Sequence, residues 1–225
     1  MSVLVSYLHP NKVSHNFMDS LLNVMAYEAQ HGNNLKGRLP VHPSIINLDG
    51  ARNVQAEAFL NETDYDWLWL VDSDVGFKPD TLSKLLEVAD PDTHPIVSAV
   101  NYSLQDAGSD GCGGSVIKQV LCFFVNDEFG AFKRGTLEDL GTDRLAEVSG
   151  VGAGCLIIHR SALITVYEKY GCWFTYMMTA DSDRLGEDLS FCYRASQVGI
   201  PIFVDTAIHT THHKEIWLGE HYGLD

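Results

Sequence analysis

The chain has 225 residues, 45% of them hydrophobic, and a formal net charge of −15 from 15 Lys plus Arg against 30 Asp plus Glu. The length suits one α/β domain, and the apolar content supplies a core, which excludes disorder as the default. The charge disfavours sequence-independent binding to duplex nucleic acid.

The five cysteines are Cys112, Cys122, Cys155, Cys172 and Cys192. Their odd number excludes a full disulfide framework, and the lack of a CxxC pair excludes zinc-site spacing. The expected setting is reducing and cytoplasmic. The first ten residues lack a basic leader, and no apolar run approaches ~18 residues, so neither a signal peptide nor a membrane span is expected.

Residues 2–8 read as a short apolar strand. Phe17, Leu21, Val24, Met25 and Tyr27 recur at helical spacing, which predicts an amphipathic helix over residues 14–30, ended by the turn residues 31–34. Residues 44–48 read as a second strand. A helix over 51–61 places Val54, Ala58 and Phe59 on one face, with Arg52 and Asn53 in its first turn. Five consecutive apolar residues, Trp67 to Val71, then read as a strand buried on both faces. It ends in Asp72 and Asp74. Parallel strands open at their carboxyl ends into a ligand crevice, so the two acids lie where a ligand binds. Carboxylates leaving a buried strand need a cation or hydrogen-bond donors. Oxygen ligands on a short loop suit Mg²⁺ or Mn²⁺. The alternative is an Asp-rich turn capping the next helix. Pro79 opens that helix, with Leu82, Leu85, Leu86 and Val88 as its buried stripe, and residues 96–100 form a further strand.

This alternation predicts a doubly wound, mostly parallel sheet. The second half is mixed. Residues 103–115 read as a Gly-rich loop, and 116–125 and 146–149 as strands without intervening helices. The turn 150–154 leads into a buried strand at 155–158, then a helix over 161–170 closed by Gly171. Residues 173–176 read as extended, 177–186 as a polar loop, 187–198 as a helix and 200–204 as a last strand before a histidine-rich tail.

Several of these segments together resemble the GT-A-type glycosyltransferases, close to the family 2-like enzymes of bacteria and their phages. They are Ala51-Arg52-Asn53, the block from Trp67 to Asp74 with Phe77 and Pro79, the turn from Gly150 to Gly154, the run from Gly186 to Cys192, and Val204-Asp205-Thr206 with His212 beyond. The resemblance covers most of the chain. It implies a GT-A Rossmann-like, mostly parallel sheet flanked by helices, with a mixed-strand acceptor half. The whole of 1–225 is then one domain, with a nucleotide-sugar half over about 1–101 and an acceptor half over about 102–225. The implied reaction moves a sugar from a nucleoside-diphosphate donor, a UDP-sugar above all, to a hydroxyl acceptor with inversion. The acceptor is a glycan, a protein or a modified nucleobase.

By the same resemblance, Asp74 and His212 hold a divalent cation, and Asp72 serves both the cation and the donor. His209 and His213 are rivals to His212. One imidazole among carboxylates tilts the choice from Mg²⁺ toward Mn²⁺. Asp188 is the implied base, and its place at a helix N-terminus predicts a lowered pKa. Glu187 positions the acceptor, joined by Gly152 and by Trp173 with Tyr176 as an aromatic shelf. For Gly152 the alternative is a tight bend, and for Trp173 it is core packing. His9, Arg52 and Asn53 contact the donor. His9 stands where the family usually has a small hydroxyl residue, and Arg52 has pairing with Glu57 or Asp49 as its alternative. Two other classes compete. A nucleotidyltransferase-like enzyme usually shows a Gly-rich loop with Lys or Arg near the first strand, and this chain shows none there. A non-catalytic carbohydrate-binding module would release no nucleoside diphosphate from a donor. A partner or a second copy of the chain completing the acceptor site is a further expectation.

Overall fold

The computed structural model describes residues 1–10, 12–41, 47–109, 115–178 and 184–214. In chain order the elements are β1 (Val3–Leu8), α1 (His15–His31), β2 (Leu35–Val41), α2 (Leu48–Glu62), β3 (Trp67–Asp72), β4 (Val75–Gly76), α3 (Thr81–Val88) and β5 (Ile96–Val100). Next come β6 (Tyr102–Ser109), β7 (Ser115–Leu121), β8 (Phe123–Asn126), β9 (Phe132–Arg134), β10 (Leu145–Val148), β11 (Gly150–Val151) and β12 (Cys155–His159). The chain continues with α4 (Arg160–Tyr170), β13 (Met177–Met178), β14 (Arg184–Leu185), α5 (Glu187–Ser196), β15 (Ile202–His209) and β16 (Thr211–His212).

The central sheet has seven strands in the order β10-β15-β5-β12-β3-β1-β2. β1 is parallel to β2 and β3, and β5 is parallel to β15. β12 runs antiparallel to both β3 and β5, and β10 antiparallel to β15. Five of the strands therefore share one direction and lay their carboxyl ends along one edge. Both halves of the chain contribute strands.

Alternation within the strands builds a core on each face. Leu4, Leu68 and Leu70 meet Phe59 of α2, Leu163 of α4 and Phe191 of α5 on one side. Val5, Trp67, Trp69 and Val71 meet Phe17 and Leu21 of α1 and Leu82 and Leu85 of α3 on the other. This is a mixed α/β architecture with a large, mostly parallel sheet flanked by helices, as the sequence predicts.

Local chemistry sets the boundaries. Ser14 caps α1, its Oγ accepting the Phe17 N–H at 3.1 Å. Gly171 closes α4 at φ 65°, a left-handed conformation that favours glycine. Other boundaries differ from expectation. Of the expected second strand, residues 44–46 lie outside the described residues, and Leu48 already belongs to α2. The second strand is β2, at the sheet edge, with Lys36, Arg38 and Pro40 exposed. An edge tolerates basic residues and proline that a central strand would not. α3 begins at Thr81, after Pro79 rather than on it.

The expected Gly-rich loop is largely a hairpin of β6 and β7, with residues 110–114 outside the described set. The expected strand over 116–125 breaks at Cys122, whose N–H bonds the Asn101 carbonyl at 2.9 Å. β15 runs five residues past its expected end, to His209. β13 and β14 pair within the expected polar loop, whose residues 179–183 lie outside the described set. Cys122, Cys155, Cys172 and Cys192 are free thiols. Among the described residues no helix is long and apolar enough to cross a membrane.

Candidate active site

β3 delivers Asp72 to the carboxyl edge of the sheet, where its N–H bonds the Gly154 carbonyl at 3.1 Å. The chain then turns through Asp74 into β4, and β4 pairs antiparallel with β16, Gly76 opposite Thr211 and Val75 opposite His212. The His213 N–H adds a bond to the Asp74 carbonyl at 2.8 Å. Gly76 makes this docking feasible, because a Cβ there would fall 2.5 Å from Thr211 Oγ1. The short ladder brings together side chains 138 positions apart: His212 Nε2 lies 3.0 Å from Asp74 Oδ2. Of the three tail histidines, His212 is the one whose ring reaches Asp74. His209 Nδ1 instead shares a 2.7 Å hydrogen bond with the Tyr102 hydroxyl.

His212 Nδ1 lies 2.6 Å from the Tyr102 carbonyl oxygen, which only accepts, so Nδ1 carries a proton. The Nε2 of a neutral ring would then aim its lone pair at a carboxylate. Two acceptors in contact need either a proton or a cation between them. Burial opposes a charged His212, but the bonds to Asp74 and the Tyr102 carbonyl outweigh it and raise its pKa. Lys214 Nζ reaches the same Oδ2 at 2.9 Å. Burial alone would raise the Asp74 pKa; the bonds from His212 and Lys214 reverse this and hold it at about 2.

The pair also fits a divalent cation. Two adjacent ligands of an octahedral ion at about 2.1 Å stand about 3.0 Å apart, which is the separation of Asp74 and His212. Asp72 does not join them. Its Oδ1 forms an ion pair with Arg52, so the carboxylate expected to share the cation faces an arginine instead. Among the described residues no group of three or more His, Cys, Asp or Glu side chains converges as a metal-holding set. Among the described residues Asp74 and His212 are the pair in contact, and a cation between them would displace Lys214 from the shared oxygen.

Arg52, Asp72, Asp74 and Lys214 line a cleft of about 550 Å³ with Leu8, Pro10, Leu48, Ala153, Glu187 and Asp188, while His212 lines the neighbouring cavity and reaches Asp74 from there. Arg52 is 2% exposed, and its guanidinium bonds Gln55 Oε1 at 3.2 Å as well as Asp72. Gln55 in turn donates to Ser6 Oγ at 2.7 Å, and Ser6 to the Leu39 carbonyl at 2.8 Å. A buried relay thus ties Arg52 to β1 and β2. Among the described residues its ion-pair partner is Asp72, not the Glu57 or Asp49 that sequence spacing offered. Its Nε is buried without a hydrogen-bond partner among the described residues.

Asn53, expected at the donor, braces a loop. Its Oδ1 accepts the N–H groups of Trp173 and Phe174, both at 3.0 Å, and its Nδ2 donates to the Asp49 carbonyl at 2.9 Å. Asn53→Ala strands two N–H groups and is expected to cost about 1–3 kcal/mol, read by chemical denaturation, with nucleotide affinity unchanged. His9 extends the β1–β2 ladder, its N–H bonding the Val41 carbonyl at 3.0 Å, and its ring lies 6.1 Å from that of Tyr7. Leu8 and Pro10 beside it line the cleft. Trp173 is 5% exposed, stacks on Tyr167 and donates its indole N–H to the Leu163 carbonyl. It packs in the core and forms no acceptor shelf.

Gly152 lies where a Cβ would meet Cys122 Sγ at 2.7 Å and stand 3.5 Å from Asp188 Oδ2. The missing side chain lets backbone approach the Asp188 carboxylate closely. Asp188 Oδ1 accepts the Leu189 N–H at 2.8 Å. Its pKa is raised, not lowered: burial outweighs that bond and the attraction of Arg52. The expected helix-terminus effect is present but weaker. Glu187 is raised by burial and by the charge of Asp188. Sequence reasoning missed Lys214 and Tyr102. The tail lysine two positions after His212 was a readable signal; a tyrosine acting through its backbone carbonyl was not.

No protein-family model and no curated protein matches the chain. Solved structures do match. A197 from STIV aligns with a TM-score of 0.54 at 16% identity, over 96% of this chain and 87% of that one. GalNAc-T7, solved with UDP, GalNAc and Mn²⁺, aligns with a TM-score of 0.57 at 12% identity, over 94% of this chain and 43% of that one. The chain thus spans less than half of the GalNAc-T7 chain. At these identities the likeness is one of fold, and the fold of this chain is a GT-A-like α/β sheet flanked by helices.

Proposed function

We propose that the chain is a divalent-cation-dependent glycosyltransferase that moves a sugar from a UDP-sugar to a hydroxyl acceptor with inversion. The observation that carries this reading is the 3.0 Å approach of His212 to Asp74, which lines a cleft together with Asp188. The fold shared with GalNAc-T7, whose structure contains UDP and Mn²⁺, supports it.

Asp74 and His212 would hold Mn²⁺ or Mg²⁺, which when bound neutralises charge on the departing diphosphate. Asp72, fixed by Arg52, lines the donor side of the cleft, and the buried Arg52 adds positive charge beneath it. Asp188 accepts the proton of the acceptor hydroxyl as that oxygen bonds the anomeric carbon and the bond from that carbon to the phosphate oxygen breaks. Its raised pKa makes it a stronger proton acceptor than an ordinary aspartate. Glu187, beside it, bonds the acceptor.

A melting-temperature screen of nucleotide-sugars with and without Mn²⁺ tests the reading, since a ligand of the folded state raises the midpoint. The expected result is a rise with a UDP-sugar that needs Mn²⁺, together with slow release of UDP. Donor affinity indifferent to chelation would overturn it. Binding without UDP release would favour the carbohydrate-binding module.

A further inference from the structure

A second cavity, of about 600 Å³, lies on the other side of the β16 segment. The first cleft covers the carboxyl ends of β1 and β3. This groove covers those of β5 and β15, because Tyr102 follows β5 and His209 ends β15. Both cavities therefore follow the same ligand-binding edge of the sheet. Among the described residues the strap formed by 211–214 contributes to both linings, His213 to the first cleft, Thr211 and His212 to the groove, and Lys214 to both.

We infer that this groove binds a neutral glycan, as the part of the acceptor beyond the reacting sugar, whose hydroxyl lies by Asp188 in the first cleft; the inference rests on the reaction proposed above. Tyr102 and His209 stack with ring centroids 6.2 Å apart and planes at 25°, and their 2.7 Å hydrogen bond fixes both rings. Tyr102 is half-buried and His209 exposed. Around this platform stand Ser103, Gln119 and Thr211, which both donate and accept hydrogen bonds. A pyranose presents an apolar C–H face to an aromatic ring and hydroxyls around its rim, and this lining complements both. The volume falls within the usual range for small-ligand sites.

The chemistry separates this ligand from its rivals. Lys214 is the one lysine or arginine among the described lining residues, beside His209 and His212, and the chain carries −15, so a nucleic acid finds too few partners. A folded protein acceptor wants a broad surface with a central apolar anchor. Here Leu104 is the one aliphatic hydrocarbon side chain among the described lining residues, and the shape is concave.

The test uses the full chain and four neutral disaccharides: lactose, maltose, cellobiose and chitobiose. Saturation-transfer NMR and calorimetry are run with and without UDP and Mn²⁺. At least one disaccharide is expected to bind. Gln119→Trp, which fills the groove from an exposed position, and His209→Ala, which removes half of the platform, should each weaken it about tenfold or more. UDP binding in the neighbouring cleft reports that each variant is folded. Disaccharide binding unchanged in both variants overturns the location. Failure of all four to bind, or a Ser/Thr-containing decapeptide whose binding Gln119→Trp abolishes, overturns the ligand class. Failure of UDP and Mn²⁺ to bind the unaltered chain would instead overturn the reading of the first cleft. The groove is then judged by the titrations made without them.

Discussion

Asp188→Asn is expected to lower sugar transfer about 10²–10⁴-fold, the usual worth of a positioned general base, with Mn²⁺-dependent UDP binding intact. The amide keeps the oxygen that accepts the Leu189 N–H, so the loss reports proton acceptance rather than a broken helix start. The pH dependence has a definite sign. Transfer needs the carboxylate, and burial raises its pKa above the ordinary 3.8, so activity of the unaltered protein should rise with pH across a window above that value. Stability runs the other way. A carboxyl whose folded pKa is raised destabilises the fold as pH climbs from the unfolded pKa through the folded one. The amide of the variant cannot ionise. The variant should therefore melt higher at neutral pH, with the difference closing below pH 3.8. Thermal melts across pH, paired with a transfer assay, check both. A variant that loses activity and melts lower throughout would assign Asp188 to structure alone.

Asp74→Asn should lower transfer by about 10²–10³-fold, comparable to losing one preorganised electrostatic partner, and should abolish the Mn²⁺ dependence of UDP binding. Removing this carboxylate deprives His212 and Lys214 of their shared anion. The contrast with Asp188→Asn is the discriminating result: both stop transfer, and only Asp74→Asn separates UDP affinity from the cation. The stability effect should be small, since the Asp74 side chain is 37% exposed and solvent screens it. Its sign is still fixed. The pKa is depressed to about 2, so the contribution is present above 3.8 and lost as pH falls through 2. UDP titrations with and without Mn²⁺ on both variants decide the point.

Much of the frame was legible because apolar side chains report burial directly. Trp67 to Val71 reads as a strand covered on both faces, and all five residues are buried. Of Phe17, Leu21, Val24, Met25 and Tyr27, which recur at helical spacing, the first three are buried, Tyr27 is half-buried and Met25 is exposed. The edge strand was hidden because Lys36, Arg38 and Pro40 erase the apolar signal there. The β6–β7 hairpin was hidden by its polar, glycine-containing sequence. In the site, acidic residues announce themselves, but their partners do not. Arg52 pairs across the fold with Asp72 rather than along its helix, and no helical spacing encodes that. Asn53 lies within a motif segment and Trp173 reads as an acceptor contact, yet the Asn53 side chain accepts the Trp173 backbone N–H and holds that loop in place. The Asp188 pKa turns on the balance between burial and a helix terminus, and only the folded surroundings weigh those two.

Lys214 has a consequence for how the protein lives without a metal. Its ammonium rests on the same carboxylate oxygen that a divalent ion would use, so the ligand pair is already electrically balanced from within. Small zinc domains unravel under chelators because metal binding supplies their folding free energy, whereas this fold has a core of its own on each face of the sheet. Here EDTA should silence the protein and leave its melting curve where it was, so that dialysis against fresh Mn²⁺ restores turnover with no refolding step.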